Sequence, residues 1–256
     1  IMNEAQVNWL FNKYSDKNIS ILEGVMGFYD GMDKNSSAYD VTKLLGIPTI
    51  IILDASGSYI TLSAIIKGLK TYQDGNTIKG VVFNHVASQS HFELIKNQIE
   101  KDFDDVVVLG WIQNILDTLD STHLGLDLKD NKIEKLELMS KEVLKYIDLE
   151  KLEIIAKFKA QKIENYPFDR VEKYDKHIAI VNDDNFSFLY HDNLEFLKES
   201  FSKVTIVNAI NNEIIPNDAD IVFIVGGYIE TKEAYEKIEN SNDFKNSLLN
   251  HAEQRK

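Results

Sequence analysis

The chain of 256 residues has no cysteine and only 3 prolines, and no apolar run in it approaches the length of a membrane span. Without cysteine there is no disulfide frame, no thiolate metal site and no cysteine nucleophile within these residues, and the composition suits a reducing compartment. Positive charge is also scarce. The 28 Lys+Arg face 41 Asp+Glu, a net of −13, which repels phosphate backbones and anionic bilayers and argues against nucleic acid or membrane as partner. A small anionic ligand would need a metal or backbone amides to hold it. The first residues lack the basic-then-apolar order of a secretion signal, so a soluble, cytoplasmic protein is expected. The phosphate-cradling pattern G-x-x-x-x-G-K-[ST] does not occur.

What is present reads as α/β. Continuous β-branched runs at 19–22, 48–53, 78–83 and 106–109 suit strands buried on both faces of a parallel sheet. Segments 37–45, 58–71 and 90–103 have helical spacing with Ser near their starts. Residues 129–165, rich in Lys, Glu, Leu and Ile, stop before Pro167 and predict one or two helices carrying the chain away from the first sheet. A new α/β unit starts at His177, with strand HIAIVN, a helix over 192–200, strand KVTIVN and strand ADIVFIVGG. The boundary is expected near 166–176. The chain starts and stops in apparent helices, at 3–14 and 243–254, so both ends read as cut, with an earlier strand and loop expected before the first.

Chemistry concentrates in ILEGVMGFYDGMD, residues 21–33, which holds three glycines and three carboxylates directly after an apolar run. An acidic group is presented there on a tight turn. Within it, EGVMGFYDG resembles the EGVMG-aromatic-aromatic-DG signature of the cobyrinic acid a,c-diamide synthases. GIPTIIILDASGSYITLSAIIKGL is similar to that family's second strand and helix, GVVFNHVASQSHFELIKNQIE to its G-V-I-x-N-x-V-x-S-x-x-H segment, and HLGLDL to its R-H-L-G-L element. In the second half, IAIVNDDNFSFLYHDNLEFLK resembles A-x-D-x-A-F-x-F-Y-Y-x-x-N-L-E, and DIVFIVGGYIE the G-G-Y-P-E turn.

The resemblance implies a mostly parallel α/β sheet of P-loop synthetase type, similar to dethiobiotin synthetase, over 1–128 but lacking its P-loop strand. A helical linker over 129–175 and the first part of a class I glutamine amidotransferase-like domain over 176–256 follow. It further implies an ATP- and glutamine-dependent ligase in which Mg²⁺ and ATP activate a corrinoid carboxylate as an acyl phosphate, and ammonia from glutamine attacks it. A homodimer is compatible with the family.

Glu23, read alone, simply opens a turn. The resemblance makes it a catalytic residue and Mg²⁺ ligand, a hard carboxylate placed where open sheets bind ligands. Gly24 and Gly27 would admit phosphate oxygens without a Cβ clash, or only permit the turn. Asp30 is a candidate for catalytic positioning of substrate or metal, or a surface Asp-Gly turn. Asp54 is a candidate nucleotide contact, with a helix-capping role for it, Ser56 or Ser58 an equal reading. Asn84, by resemblance, faces the nucleotide base, whose edge an amide can read by paired donor and acceptor. His85, His91 and His123 read as structural, without zinc-site spacing. Thr122 stands where the family has arginine, a lost bidentate donor.

Gly226 and Gly227 match the turn whose amides form an oxyanion hole in such amidotransferases, with Ile229 in place of the family's proline. The nucleophilic cysteine and the histidine and glutamate that follow it are expected beyond these residues, so residues 1–256 alone are not expected to hydrolyse glutamine, or to bind ATP well. Two alternatives stay open: a sister ligase acting on nickel sirohydrochlorin or hydrogenobyrinic acid, and a non-catalytic binding or assembly homologue.

Overall fold

The computed structural model describes residues 2–15, 19–114, 121–122, 125–126, 133–158, 165–169 and 171–254. They form two compact units, Ile1–Asp120 with Asp130–Phe168, and Ser121–Lys129 with Asp169–Lys256. His123 and most of the HLGLDL element lie outside the described residues.

In the first unit α1 (Glu4–Tyr14) starts with a capping box between Asn3 and Gln6, and α2 (Ala38–Leu45) with one between Ser37 and Asp40. Such boxes satisfy helix amides that have no intrahelical acceptor. Then follow β1 (Thr49–Asp54), α3 (Ile60–Thr71), β2 (Ile78–Val86), α4 (Gln89–Asp102) and β3 (Val107–Gln113). The sheet is parallel in the order β1-β2-β3. Central β2 is almost wholly buried, and Ile78, Val81, Phe83 and Val86 join Leu62 and Ile66 of α3 and Ile95 and Ile99 of α4 in one core. This is the α/β alternation that the apolar runs predict.

One expected strand is absent. Residues 19–22 have no regular structure, and Ile19 and Ile21 are 75% and 88% exposed. A β-branched run becomes a strand only where neighbours take its backbone hydrogen bonds and cover its faces. β1 pairs with β2 alone, and among the described residues nothing pairs with 19–22.

The helices α5 (Ile133–Tyr146) and α6 (Leu149–Ile155) pack against β3 and β2, covering the first sheet where the sequence predicts departure from it. Gly110 makes this docking fit. Its φ is +146°, and a Cβ there would sit 2.0 Å from the Tyr146 carbonyl oxygen, while Asp148 donates its amide to Leu109 O at 2.8 Å.

The second unit begins with a short antiparallel pair, β4 (Ser121–Thr122) and β5 (Gly125–Leu126). It continues with β6 (Tyr174–Val181), α7 (His191–Ser200), β7 (Phe201–Val207), β8 (Ile221–Ile224), α8 (Lys232–Asn240) and α9 (Asn242–Gln254). The parallel sheet runs β7-β6-β8. Along β6 the two-residue period of a strand splits the side chains. Ala179 and Val181 enter one core with Val207 and Phe244, and Ile178 and Ile180 enter the other with Val225. Both faces are covered, as a continuous apolar run requires.

Candidate active site

The loop 23–31 is held by its aromatic pair. Phe28 packs on the first core, and its carbonyl accepts the Tyr39 amide at 3.0 Å. Tyr29 stacks near Tyr39 and Tyr72, with ring centres 5.2 and 4.9 Å away, and donates its hydroxyl to Leu69 O. Burial, and then the neighbouring Tyr39, push the Tyr29 hydroxyl pKa up. Sequence reasoning missed these anchors, although two adjacent aromatics beside an exposed acidic turn are a usable signal.

Between the anchors and the open end the glycines make close contacts. A Cβ on Gly24 would meet Ala38 Cβ at 3.2 Å, and one on Gly27 would meet Asp30 Oδ2 at 2.5 Å. The Gly27 amide donates to that same carboxylate at 3.1 Å, and the Asp30 amide donates back to Gly27 O at 2.9 Å. Asp30 thus closes its own turn, and the space left by these two hydrogens is used by the chain itself. Gly31, at φ +96°, completes the bend into a short 3-10 turn over Met32–Lys34. Glu23 is exposed, and no hydrogen bond or ion pair engages it among the described residues.

A second group gathers at the carboxyl ends of β1 and β2, where Asp54 and Asn84 stand in register. Asp54 Oδ1 accepts the Ser56 amide at 2.8 Å and its hydroxyl at 2.6 Å, and lies 3.3 Å from His85 Nδ1. The Ser56 hydroxyl and amide, with the His85 ring behind them, hold the Asp54 carboxyl below the usual carboxylate range. Asp54 does not cap α3, which follows Tyr59 and has no side-chain cap. Asn84 Oδ1 accepts the His85 amide at 2.9 Å. His85 carries φ +57°, a left-handed conformation that costs a non-glycine residue about 1 kcal/mol. His91 meets backbone on both ring nitrogens, its Nε2 2.7 Å from Ser58 O and its Nδ1 accepting the Ala87 amide at 3.4 Å.

No hydrogen bond or ion pair joins Glu23 or Asp30 to Asp54 or Asn84 among the described residues, and none of them holds a cluster of three or more metal-ligating side chains. The described residues thus form no all-protein metal cage, and Glu23 is an exposed carboxylate of the kind that, one or two at a time, Mg²⁺ commonly takes together with phosphate oxygens. A groove lined by Pro48, Thr77, Lys79, Asp105 and Val107 lies at the amino ends of the same strands and contains none of the predicted site residues.

In the second unit Gly226 and Gly227 follow β8, with Val225 between. Phe188 donates its amide to Gly226 O at 2.8 Å. A Cβ on Gly227 would sit 1.8 Å from Asn185 O, so only glycine permits this backbone approach. Neither glycine amide donates to another described residue. The facing loop is tied by Asp183, a residue the sequence did not single out. Its Oδ1 accepts the amides of Asn185 and Phe186 at 2.9 and 3.0 Å, and its Oδ2 those of Ala209 and Ile210 at 2.8 and 3.2 Å. Asn185, fully buried, donates Nδ2 to Ala234 O of α8 at 2.9 Å. An acidic residue just past a buried strand was the available signal.

Residues 177–256 match the family described as a CobB/CobQ-like glutamine amidotransferase domain. Proteins named cobyrinate a,c-diamide synthase are similar along nearly the whole chain. Those of Methanocaldococcus jannaschii and Saccharolobus solfataricus are each 35% identical, over 238 and 237 residues, covering 90% of this chain and 53% of the relative. That of Fusobacterium nucleatum is 35% identical over 274 residues, covering 100% of this chain and 60% of the relative. The chain thus spans little more than half the length of these relatives. No solved structure matches it. The chain belongs to the cobyrinate a,c-diamide synthase family.

Proposed function

We propose that this chain forms part of an ATP- and glutamine-dependent ligase that amidates the a and c carboxylates of cobyrinic acid, with residues 1–128 serving carboxylate activation and 176–256 glutamine handling. The observation that carries the reading is Glu23, an exposed carboxylate that no other described residue engages, at the start of a loop pinned by Phe28 and Tyr29. On this reading Glu23 contributes one oxygen to Mg²⁺, which would neutralise phosphate charge during formation of the acyl phosphate. Asp30 keeps the loop closed until substrate competes for its carboxylate. Asp54 and Asn84 line the nucleotide side. The amides of Gly226 and Gly227, which donate to no other described residue, supply the oxyanion hole of the amidotransferase. These residues include no cysteine, so the nucleophile that releases ammonia is not among them. The stretch on its own is expected to be inactive with glutamine.

The test is Glu23→Gln in the product of the complete reading frame, assayed for amidation with free ammonia as well as with glutamine. We expect kcat to fall about 100-fold with either donor, and an unchanged ammonia rate removes Glu23 as metal ligand. Cobyrinic acid, hydrogenobyrinic acid and nickel sirohydrochlorin assayed side by side identify the macrocycle. A folded product that amidates none of them points to the binding or assembly role.

A further inference from the structure

The Gly226 carbonyl and the Gly227 N–H share one peptide plane and point in opposite directions. With glycine on both sides, no Cβ favours either face of that plane. Its orientation decides whether the turn offers a reacting oxygen a donor or an acceptor. Phe188 makes the choice: its amide donates to Gly226 O at 2.8 Å, so the carbonyl faces the 183–188 loop and the Gly227 N–H faces away from it. The Phe188 ring lies on the same turn. A Cβ on Gly226 would meet it at 3.4 Å, and its centre is 5.1 Å from that of Tyr228, edge to face. Phe188 is 48% exposed and is a member of neither core of the second unit, so burial alone does not explain its place. The loop that carries it is fixed by the four amides on Asp183, two from the loop itself and two from Ala209 and Ile210.

We propose that Phe188 is a positioning residue for glutamine hydrolysis, whose backbone amide holds the Gly226–Gly227 peptide with its N–H outward and so presets the oxyanion donor before substrate arrives. The inference rests on the oxyanion reading of this turn given above. In the reversed plane the Gly226 carbonyl would face the developing oxyanion, and two negative oxygens would raise the barrier that an oxyanion hole lowers. Holding the plane in advance removes the cost of turning it during the reaction.

The experiment uses the product of the complete reading frame, assayed for glutamine hydrolysis and, separately, for amidation with free ammonia. Phe188→Leu and Phe188→Pro both lose the ring, and only the proline variant also loses the N–H. The glutaminase kcat of Phe188→Pro should fall about 100-fold below that of Phe188→Leu, the scale of one lost oxyanion donor, with the same KM for glutamine and the same ammonia rate. Where proline prevents folding, phenyllactic acid incorporated at position 188 decides, since it turns the amide into an ester and removes the donor alone. It should give the same loss relative to wild type. Equal glutaminase rates in the two variants, or an ester that hydrolyses glutamine as fast as wild type, overturn the proposal and leave the oxyanion reading standing. A loss matched by the ammonia rate also overturns it, because the amide then serves folding only. A wild-type product without glutaminase activity overturns the oxyanion reading itself.

Discussion

The glycines of the 23–31 loop and those of the 226–227 turn look alike in sequence and are used differently. In the first unit the missing Cβ of Gly27 faces the Asp30 carboxylate, the end of a side chain that can turn away, whereas that of Gly24 faces the fixed Cβ of Ala38. In the second, Gly227 faces the backbone of Asn185 and Phe186, which cannot shift without breaking the loop that Asp183 ties together. Acidic residues follow the same division. Asp30 makes one exposed contact to its own turn, whereas Asp183 accepts four amides from two loops. The first loop is closed by one side-chain contact, and the second turn lies against backbone tied by four amide hydrogen bonds. The roles proposed above for the two turns make use of this difference, the second offering a preset pair of backbone amides.

The sharpest way to break this comparison is to put the same methyl group in both places. Gly227→Ala should destabilise the second unit by about 3 kcal/mol, since overpacking against fixed backbone is the costly case. Gly27→Ala should cost about 1 kcal/mol, because the Asp30 side chain can turn away. Urea unfolding of both variants measures the gap, and equal costs would end the distinction. Next in size, Asp183→Asn should cost about 2 kcal/mol, as an amide group then faces the donors of Ala209 and Ile210. The matching Asp30→Asn should stay within about 0.5 kcal/mol.

The smallest effect concerns pH. The hydrogen bond from Lys70, which lies 2.7 Å away, holds the Asp105 carboxyl below its ordinary value of 3.8. The folded pKa is therefore below the unfolded one. The contribution of the pair is complete above that ordinary value and is lost as pH falls through the folded pKa. Asp105 is half exposed, so the effect should be under about 1 kcal/mol. The stability difference between the wild type and Asp105→Asn should be present at about pH 6 and gone at about pH 2. A difference independent of pH would assign the effect to packing.

The sequence by itself determined the α/β alternation, the two parallel sheets and the family. Strands such as β2 and β6 are buried on both faces and must be continuous apolar runs, and the Ser37 and Ser88 caps mark helix starts through chemistry local to a few residues. It also drew attention to Glu23, Asp30, Asp54, Asn84 and the two glycine turns. Contacts between segments distant in the chain decided the rest. Residues 19–22 carry the pattern of a strand but pair with none of the described residues, and α5 and α6 return to the sheet because Gly110 lets Tyr146 approach. The left-handed backbone of His85 falls between Phe83 and Val86, where β2 shifts register against β3, and the four amides on Asp183 come from two loops. A one-dimensional pattern records which groups want burial or pairing. Which partners they meet is settled only when the strands are laid side by side.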